Sequence, residues 1–196
     1  MVEGAPQRVL VAGCSGAGKS TLAAALATRL DLPYYELDAL RHGPRWVPRP
    51  EFAADVAAFA ATARWVTEWQ GADVRELLLR RADLVVWLDL PRWRVFSQLL
   101  RRTLHRRLWR VELWNGNVEP PLWTVFTDPE HVLRWAWSSY GRNRRRMRDL
   151  LAAGTGPPVV RLRSRGDVRR WLTADAGRVR SAPGPGAGSA TPSGSP

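Results

Sequence analysis

The chain reads as an α/β protein, a parallel sheet with helices on both faces. Apolar runs of strand length alternate with amphipathic helical stretches, and that order calls for right-handed crossovers. Residues 8–12, Arg-Val-Leu-Val-Ala, open directly into glycines in the way of a buried parallel strand. Residues 83–89, Asp-Leu-Val-Val-Trp-Leu-Asp, are the clearest strand in the sequence.

The remaining elements follow from period and punctuation. Residues 20–30 carry Leu22, Leu26 and Leu30 at spacing four with alanines between, which predicts a helix packed on the first strand. Pro33 separates it from a second strand at residues 34–37 that ends at Asp38. Residues 41–50 are rich in Pro and Arg and read as a loop. Residues 51–63 place Phe52, Val56 and Phe59 on one helical face. Residues 64–68 form a third strand and 74–81 a helix. Residues 92–108 make a helix with Val95, Leu99 and Leu100 inward and arginines outward. No steady period runs through residues 109–129, and long irregular segments inside a compact domain are usually functional lids or disordered. A helix over 129–151, a strand over 159–162 and a helix over 166–173 complete the order. From residue 182 the composition of Pro, Gly, Ser, Ala and Thr cannot bury a core, so it reads as a disordered tail. Residues 1–181 therefore form one domain.

The composition, 45% hydrophobic and 24% charged over 196 residues, is that of a soluble globular chain. No apolar stretch reaches the ~18–20 residues that span a bilayer. The first residues lack the basic-then-apolar order of a secretion signal, and the single cysteine, Cys14, fits a reducing compartment. The expected location is cytoplasmic. The net charge is +12, and of 30 Lys and Arg residues only Lys19 is lysine. Isoleucine is absent, so the arginine excess reads first as genomic bias and second as a nucleic-acid footprint. Bias does not explain where the one lysine sits.

It sits in Gly13-Cys14-Ser15-Gly16-Ala17-Gly18-Lys19-Ser20-Thr21, which satisfies the Walker A pattern G-x4-G-K-[ST] between a strand and a helix. Glycines allow positive φ and close backbone approach, so successive N–H groups can cradle phosphate oxygens. The helix beginning near Lys19 adds the positive end of its dipole. Lys19 is positioned for the β- and γ-phosphates, and Ser20 offers its hydroxyl to Mg²⁺. The phosphate-binding set is thus Gly13, Ser15, Gly16, Ala17, Gly18, Lys19, Ser20 and Thr21, with ATP and Mg²⁺ as cofactors and Ser20 as metal ligand. Cys14 reads as a small tolerated side chain.

Acids at the carboxyl ends of strands are the next candidates, because open α/β sheets bind ligands at that edge. Asp38 would hold a substrate hydroxyl or act as its general base, against a plain turn or capping role. Glu68, ending the strand beside the first, would order a water on Mg²⁺. Asp89 also closes a strand, but Leu90-Pro91-Arg92 after it matches a turn in which the Asp is often structural. Of these two the reading favours Glu68, giving Lys19, Asp38 and Glu68 as catalytic candidates.

Arg101, Arg102, Arg106, Arg107 and Arg110 precede the irregular segment, and Arg142, Arg144, Arg145, Arg146 and Arg148 follow it. A transferring phosphoryl group needs cations around it, yet most of these must be solvated helix faces. The eleven tryptophans read mainly as core or lid packing. Trp109, Trp114 and Trp123 among arginines are also compatible with base stacking.

Several segments in order carry a resemblance. They are the Walker A loop, Leu32-Pro33-Tyr34-Tyr35-Glu36-Leu37-Asp38-Ala39-Leu40, Trp46-Val47, Trp65-Val66-Thr67-Glu68-Trp69, Leu88-Asp89-Leu90-Pro91-Arg92 and Leu162-Arg163-Ser164-Arg165. Together, over residues 8–173, they resemble bacterial adenylate-kinase-like P-loop proteins often labelled DNA topology modulation protein-like kinases. That resemblance implies a P-loop, nucleoside-monophosphate-kinase-like three-layer fold with a five-stranded parallel sheet in order 2-3-1-4-5. It further implies an acceptor region near 38–65 and a helical lid near 105–130. Where many such relatives have Asp-Gly-Asn-Tyr, this chain has Thr67-Glu68-Trp69-Gln70, and the Asp-Gly-x-Pro-Arg signature of true adenylate kinases is missing.

The functional expectation is an ATP-dependent kinase acting on a small molecule or nucleotide. A regulatory ATP-binding or ATP-hydrolysing switch is the second reading, and a nucleic-acid-binding ATPase the least favoured. The acceptor and the oligomeric state are not legible in the sequence.

Overall fold

The computed structural model describes residues 5–109, 111–117 and 132–174. Five strands pair in parallel in the order β2-β3-β1-β4-β5, the order that the resemblance implies. The strands are β1 (Arg8–Gly13), β2 (Tyr34–Tyr35), β3 (Trp65–Glu68), β4 (Leu84–Leu88) and β5 (Val159–Leu162). Central β1 pairs with β3 from Arg8↔Trp65 to Val11↔Glu68 and with β4 from Val9↔Leu84 to Gly13↔Leu88. Val9 to Ala12 are buried on both faces, as an apolar run between two neighbours must be.

Around the sheet lie α1 (Lys19–Leu30), α2 (Leu37–Arg41), α3 (Phe52–Ala60), α4 (Arg75–Arg81), α5 (Arg92–Leu108), α6 (Val132–Ala153) and α7 (Arg165–Ala174). They form two outer layers. One core joins Val9 and Val11 to Leu22, Ala23 and Leu26 of α1 and Trp171 of α7. The other joins Leu10 and Ala12 to Phe52, Val56 and Phe59 of α3, Leu78 of α4 and Met147 of α6. Alternate residues of β1 thus point into opposite cores, the period-two rule of a strand. Trp65, Trp69, Trp87 and Trp171 are core residues, whereas Trp93, Trp109 and Trp137 are exposed. Among the described residues no helix is long and apolar enough to cross a membrane.

Two expectations need correction. The second strand ends at Tyr35, not at Asp38. Leu37 N–H donates to the Glu68 carboxylate, 3.4 Å away, and the chain then winds into α2, with Leu40 N–H on Glu36 O. Asp38 therefore lies in the first turn of a short helix. Leu100 is 37% exposed, because the buried stripe of α5 is Val95, Leu99 and Thr103 at spacing four. Arg110, Trp123, most of the irregular segment and the residues expected to form a tail lie outside the described residues.

Candidate active site

β1 delivers the chain to the carboxyl edge of the sheet, where it turns through Gly13–Gly18 into α1. Ala17 N–H on Cys14 O (3.0 Å) closes the turn. Gly16 has φ +84°, and a Cβ there would lie 2.7 Å from Leu99 Cβ of α5. Only glycine allows this loop to rest so close to that helix. Gly18 has φ +94°, and a Cβ there would meet nothing within 4 Å, so its conformation alone demands glycine. It is also the N-cap of α1 and provides no side-chain cap, which leaves first-turn amides for an outside anion. Cys14 is buried with its Sγ 3.9 Å from Tyr140 O, and burial pushes its thiol up. An inert role in packing fits this environment.

Lys19 Nζ donates to Cys14 O (3.5 Å) beside the loop. Burial pushes its ammonium down, while the charges of Asp38 and Glu68 push it up and Arg102 opposes them. Asp38 and Glu68, from α2 and β3, therefore both lie within electrostatic reach of Lys19 at the start of α1. Glu68 is 1% exposed. Its Oε1 accepts from Tyr34 O–H (2.7 Å) and its Oε2 from Leu37 N–H. Burial, followed by the hydrogen bond to Glu68, holds the Tyr34 proton on. Glu68 is thus held by Tyr34, a residue that sequence reasoning places only in a strand. Ser20 and Thr21 are themselves exposed.

Asp38 Oδ1 accepts from Gln70 Nε2 (2.7 Å), which aims the carboxylate and leaves its second oxygen without a protein partner among the described residues. The sequence does not single out Gln70, although its place two residues after Glu68 puts it at the same sheet edge. Glu36 is a further acid here. Burial pushes its carboxyl up, a hydrogen bond with Trp114 lowers it, and Glu68 and Asp38 raise it again.

Trp114 belongs to residues 111–117, which dock on the loop after α2. Asn117 is 3% exposed; its Oδ1 accepts from Trp46 N–H (2.8 Å), and its Nδ2 donates to Gly43 O (2.9 Å) and Trp114 O (2.8 Å). The Asn115 amide donates to His42 O, and the Trp46 and Trp114 rings meet edge to face at 6.3 Å. The Trp114 ring thus packs against Trp46.

Asp89 is committed elsewhere. Its carboxylate holds Arg144 Nε at 2.7 Å and Arg161 Nε at 2.9 Å, tying the end of β4 to α6 and β5. Of the arginines flanking the irregular segment, Arg102 and Arg106 act electrostatically on Lys19 and Glu36 respectively, while Arg144 belongs to Asp89.

The donor set fits ATP with Mg²⁺. Amides at an uncapped helix start suit phosphate oxygens, and a serine hydroxyl with one nearby acid suits a hard cation that keeps most ligands from phosphate and water. Among the described residues no group of three or more His, Cys, Asp or Glu could hold a metal unaided.

No protein family and no curated protein matches the sequence. Solved structures do resemble it in form. Shikimate kinase from Acinetobacter baumannii, in complex with shikimate, is 19% identical with a TM-score of 0.49, covering 85% of this chain and 89% of that one. A sugar kinase from a Janibacter species is 20% identical with a TM-score of 0.45, covering 85% and 92%. Shikimate kinase from Bacteroides thetaiotaomicron is 15% identical with a TM-score of 0.46, covering 86% and 95%. Likeness this distant says nothing about the reaction, so the functional reading rests on residues of this chain.

Proposed function

We propose that the chain is an ATP-dependent phosphotransferase whose acceptor presents a hydroxyl to Asp38. The observation that carries this reading is that Asp38 and Glu68 lie within electrostatic reach of Lys19, beside an uncapped glycine loop at the start of α1. In this reading the amides of residues 13–21 cradle the phosphates and Lys19 neutralises the β- and γ-oxygens. Ser20 holds Mg²⁺, and Glu68, held by Tyr34, sets its charge beside Lys19. Bound Mg²⁺ supplies charge neutralisation on the polyphosphate. Asp38, aimed by Gln70, accepts the proton of the acceptor hydroxyl as the new P–O bond forms and the bond to ADP breaks. Catalysis of this kind is positioning and charge stabilisation, with no covalent enzyme intermediate required.

Lys19→Ala should lower ATP-dependent phosphorylation by about a thousandfold or more in a screen of hydroxyl-bearing metabolites and nucleosides read by mass gain. Unchanged turnover in that variant would remove the assignment. Phosphate release by the wild type, with no phosphorylated acceptor in any pool, would replace it with an ATP-hydrolysing switch.

A further inference from the structure

α5 carries two apolar stripes, and the fold uses one of them. Val95, Leu99 and Thr103 face inward, and Leu99 lies so near the phosphate loop that a Cβ on Gly16 would be 2.7 Å from its own. The second stripe is Trp93, Phe96, Leu100, Leu104 and Leu108, three and then four residues apart, which sets them in one line along the helix. At ~1.5 Å per residue the line is roughly 22 Å long. Trp93 is 66% exposed and Leu108 78%, with Leu100 and Leu104 exposed between them. α6 widens the patch through exposed Trp137, whose ring meets Phe96 edge to face at 5.6 Å. A contiguous apolar surface on a helix otherwise rich in charge marks an interaction face.

Charge says what that face fits. α5 holds six arginines and no acid, in a chain of net charge +12. Arg94 and Arg101, two turns apart, run along one flank of the stripe, and Arg92 lies on the other. The Arg94 guanidinium stands over the Trp93 ring at 5.1 Å and that of Arg92 over the Trp137 ring at 3.5 Å. Cation and ring are thus paired at the rim, and the leucines continue the line beyond them. A second copy docked here would set arginines against arginines. A nucleic acid would answer the arginines and offer the leucines no apolar partner. The chain from residue 175 onward has no Leu, Ile, Met or aromatic residue with which to cover them. An anionic bilayer surface meets both demands at once. Its acyl chains receive the leucines and the apolar bodies of the tryptophans, and its lipid phosphates receive the arginines.

We propose that the outer face of α5, with Trp137 of α6, docks the protein on an anionic lipid bilayer. The helix is too polar to cross, and it lies along the headgroup boundary. Leu100, Leu104 and Leu108 turn toward the acyl chains, and Arg94 and Arg101 contact lipid phosphates. The phosphate loop, on the inward side of α5, stays clear of the lipid. None of this rests on the phosphotransferase reading.

The full chain is sedimented with vesicles of phosphatidylcholine alone and of phosphatidylcholine mixed with phosphatidylglycerol. Binding to the anionic vesicles and little to the neutral ones is expected. Leu104→Gln/Leu108→Gln leaves the net charge unaltered and should weaken that binding by about tenfold or more, with thermal melts unchanged. Arg94→Gln/Arg101→Gln should weaken it by about fivefold or more. Bromine-labelled acyl chains should quench part of the wild-type tryptophan emission, which reads insertion without any variant. No sedimentation with anionic vesicles, or unquenched emission, overturns the proposal. So does equal binding by the leucine variant, which would mean that a basic surface adsorbs by charge alone. A dimer at sedimentation equilibrium that the leucine variant abolishes, without vesicle binding, would give the stripe to a second copy and overturn it as well.

Discussion

Glu68 and Asp89 are both buried carboxylates at the carboxyl edge of one sheet, but they are satisfied in opposite ways. Asp89 has two arginines, one from α6 and one from β5, each contributing a full charge to it. Glu68 has a phenol and a backbone amide, neither of them charged. An acid with two cations is electrostatically spent, and its work is to tie elements together. An acid held only by neutral donors keeps its negative field, and that field falls on Lys19. Burial at a strand end therefore does not identify a catalytic acid; its partners do.

The comparison breaks most visibly at Asp89. Asp89→Asn leaves Arg144 and Arg161 without their counter-charge in a partly buried position. Removing one member of a buried ion-paired set costs 3–5 kcal/mol, and the arginines are about a third exposed, so a loss of about 2–3 kcal/mol is expected in urea unfolding. Nucleotide affinity of the folded fraction should stay within about threefold of wild type. A large loss of nucleotide affinity at unchanged stability would reverse the roles given to the two acids.

Glu68→Gln is the sharper probe of function. Glutamine keeps only one of the two acceptor oxygens, so a stability loss of about 1–2 kcal/mol is expected, short of unfolding the protein. Losing the charge beside Lys19 should reduce turnover by about a hundredfold and raise the Mg²⁺ concentration needed for nucleotide binding. Tyr34→Phe, which removes one of the two donors that hold Glu68, should show the same pattern more weakly. Isothermal titration of an ATP analogue across a Mg²⁺ series checks both variants, and Mg²⁺-independent affinity in Glu68→Gln equal to wild type would count against this role of Glu68.

What the sequence discloses about these sites follows the reach of the interactions. The β1–loop–α1 unit is legible because its causes are local: an apolar run, glycines for positive φ and a leucine stripe. The fate of Asp89 is not, since its partners lie 55 and 72 residues away and no spacing rule points to them. The end of β2 escapes the pattern for a similar reason. Leu37 looks like a strand residue until Glu68, 31 residues on, takes its N–H out of the ladder. Leu100 fails by geometry alone, being one helical step beside the stripe that repeats every four. Glu68 stands out by its strand-end position, but the hydroxyl that holds it belongs to Tyr34, which carries no motif.

Glu36 offers the mildest way to sharpen the contrast, through pH. Its carboxyl is raised, first by burial and then by its acidic neighbours Glu68 and Asp38, with Trp114 and Arg106 pulling the other way. A raised carboxyl means that the folded state holds its proton more tightly than the unfolded chain does. Its contribution is therefore favourable below the unfolded value of ~4.3 and is lost as pH rises through the folded value. Glu36→Gln removes the ionisation while keeping a polar side chain of the same size. The variant should be slightly more stable than wild type near neutrality, by about 0.5–1 kcal/mol after solvent screening of a half-buried group, and the difference should shrink toward pH 4. Thermal melts between pH 4 and 7.5 measure it. A difference that instead grew on acidification would show that Glu36 is stabilised as a carboxylate, so the unspent negative field at this edge would extend beyond Glu68 to a second, favourably ionised acid.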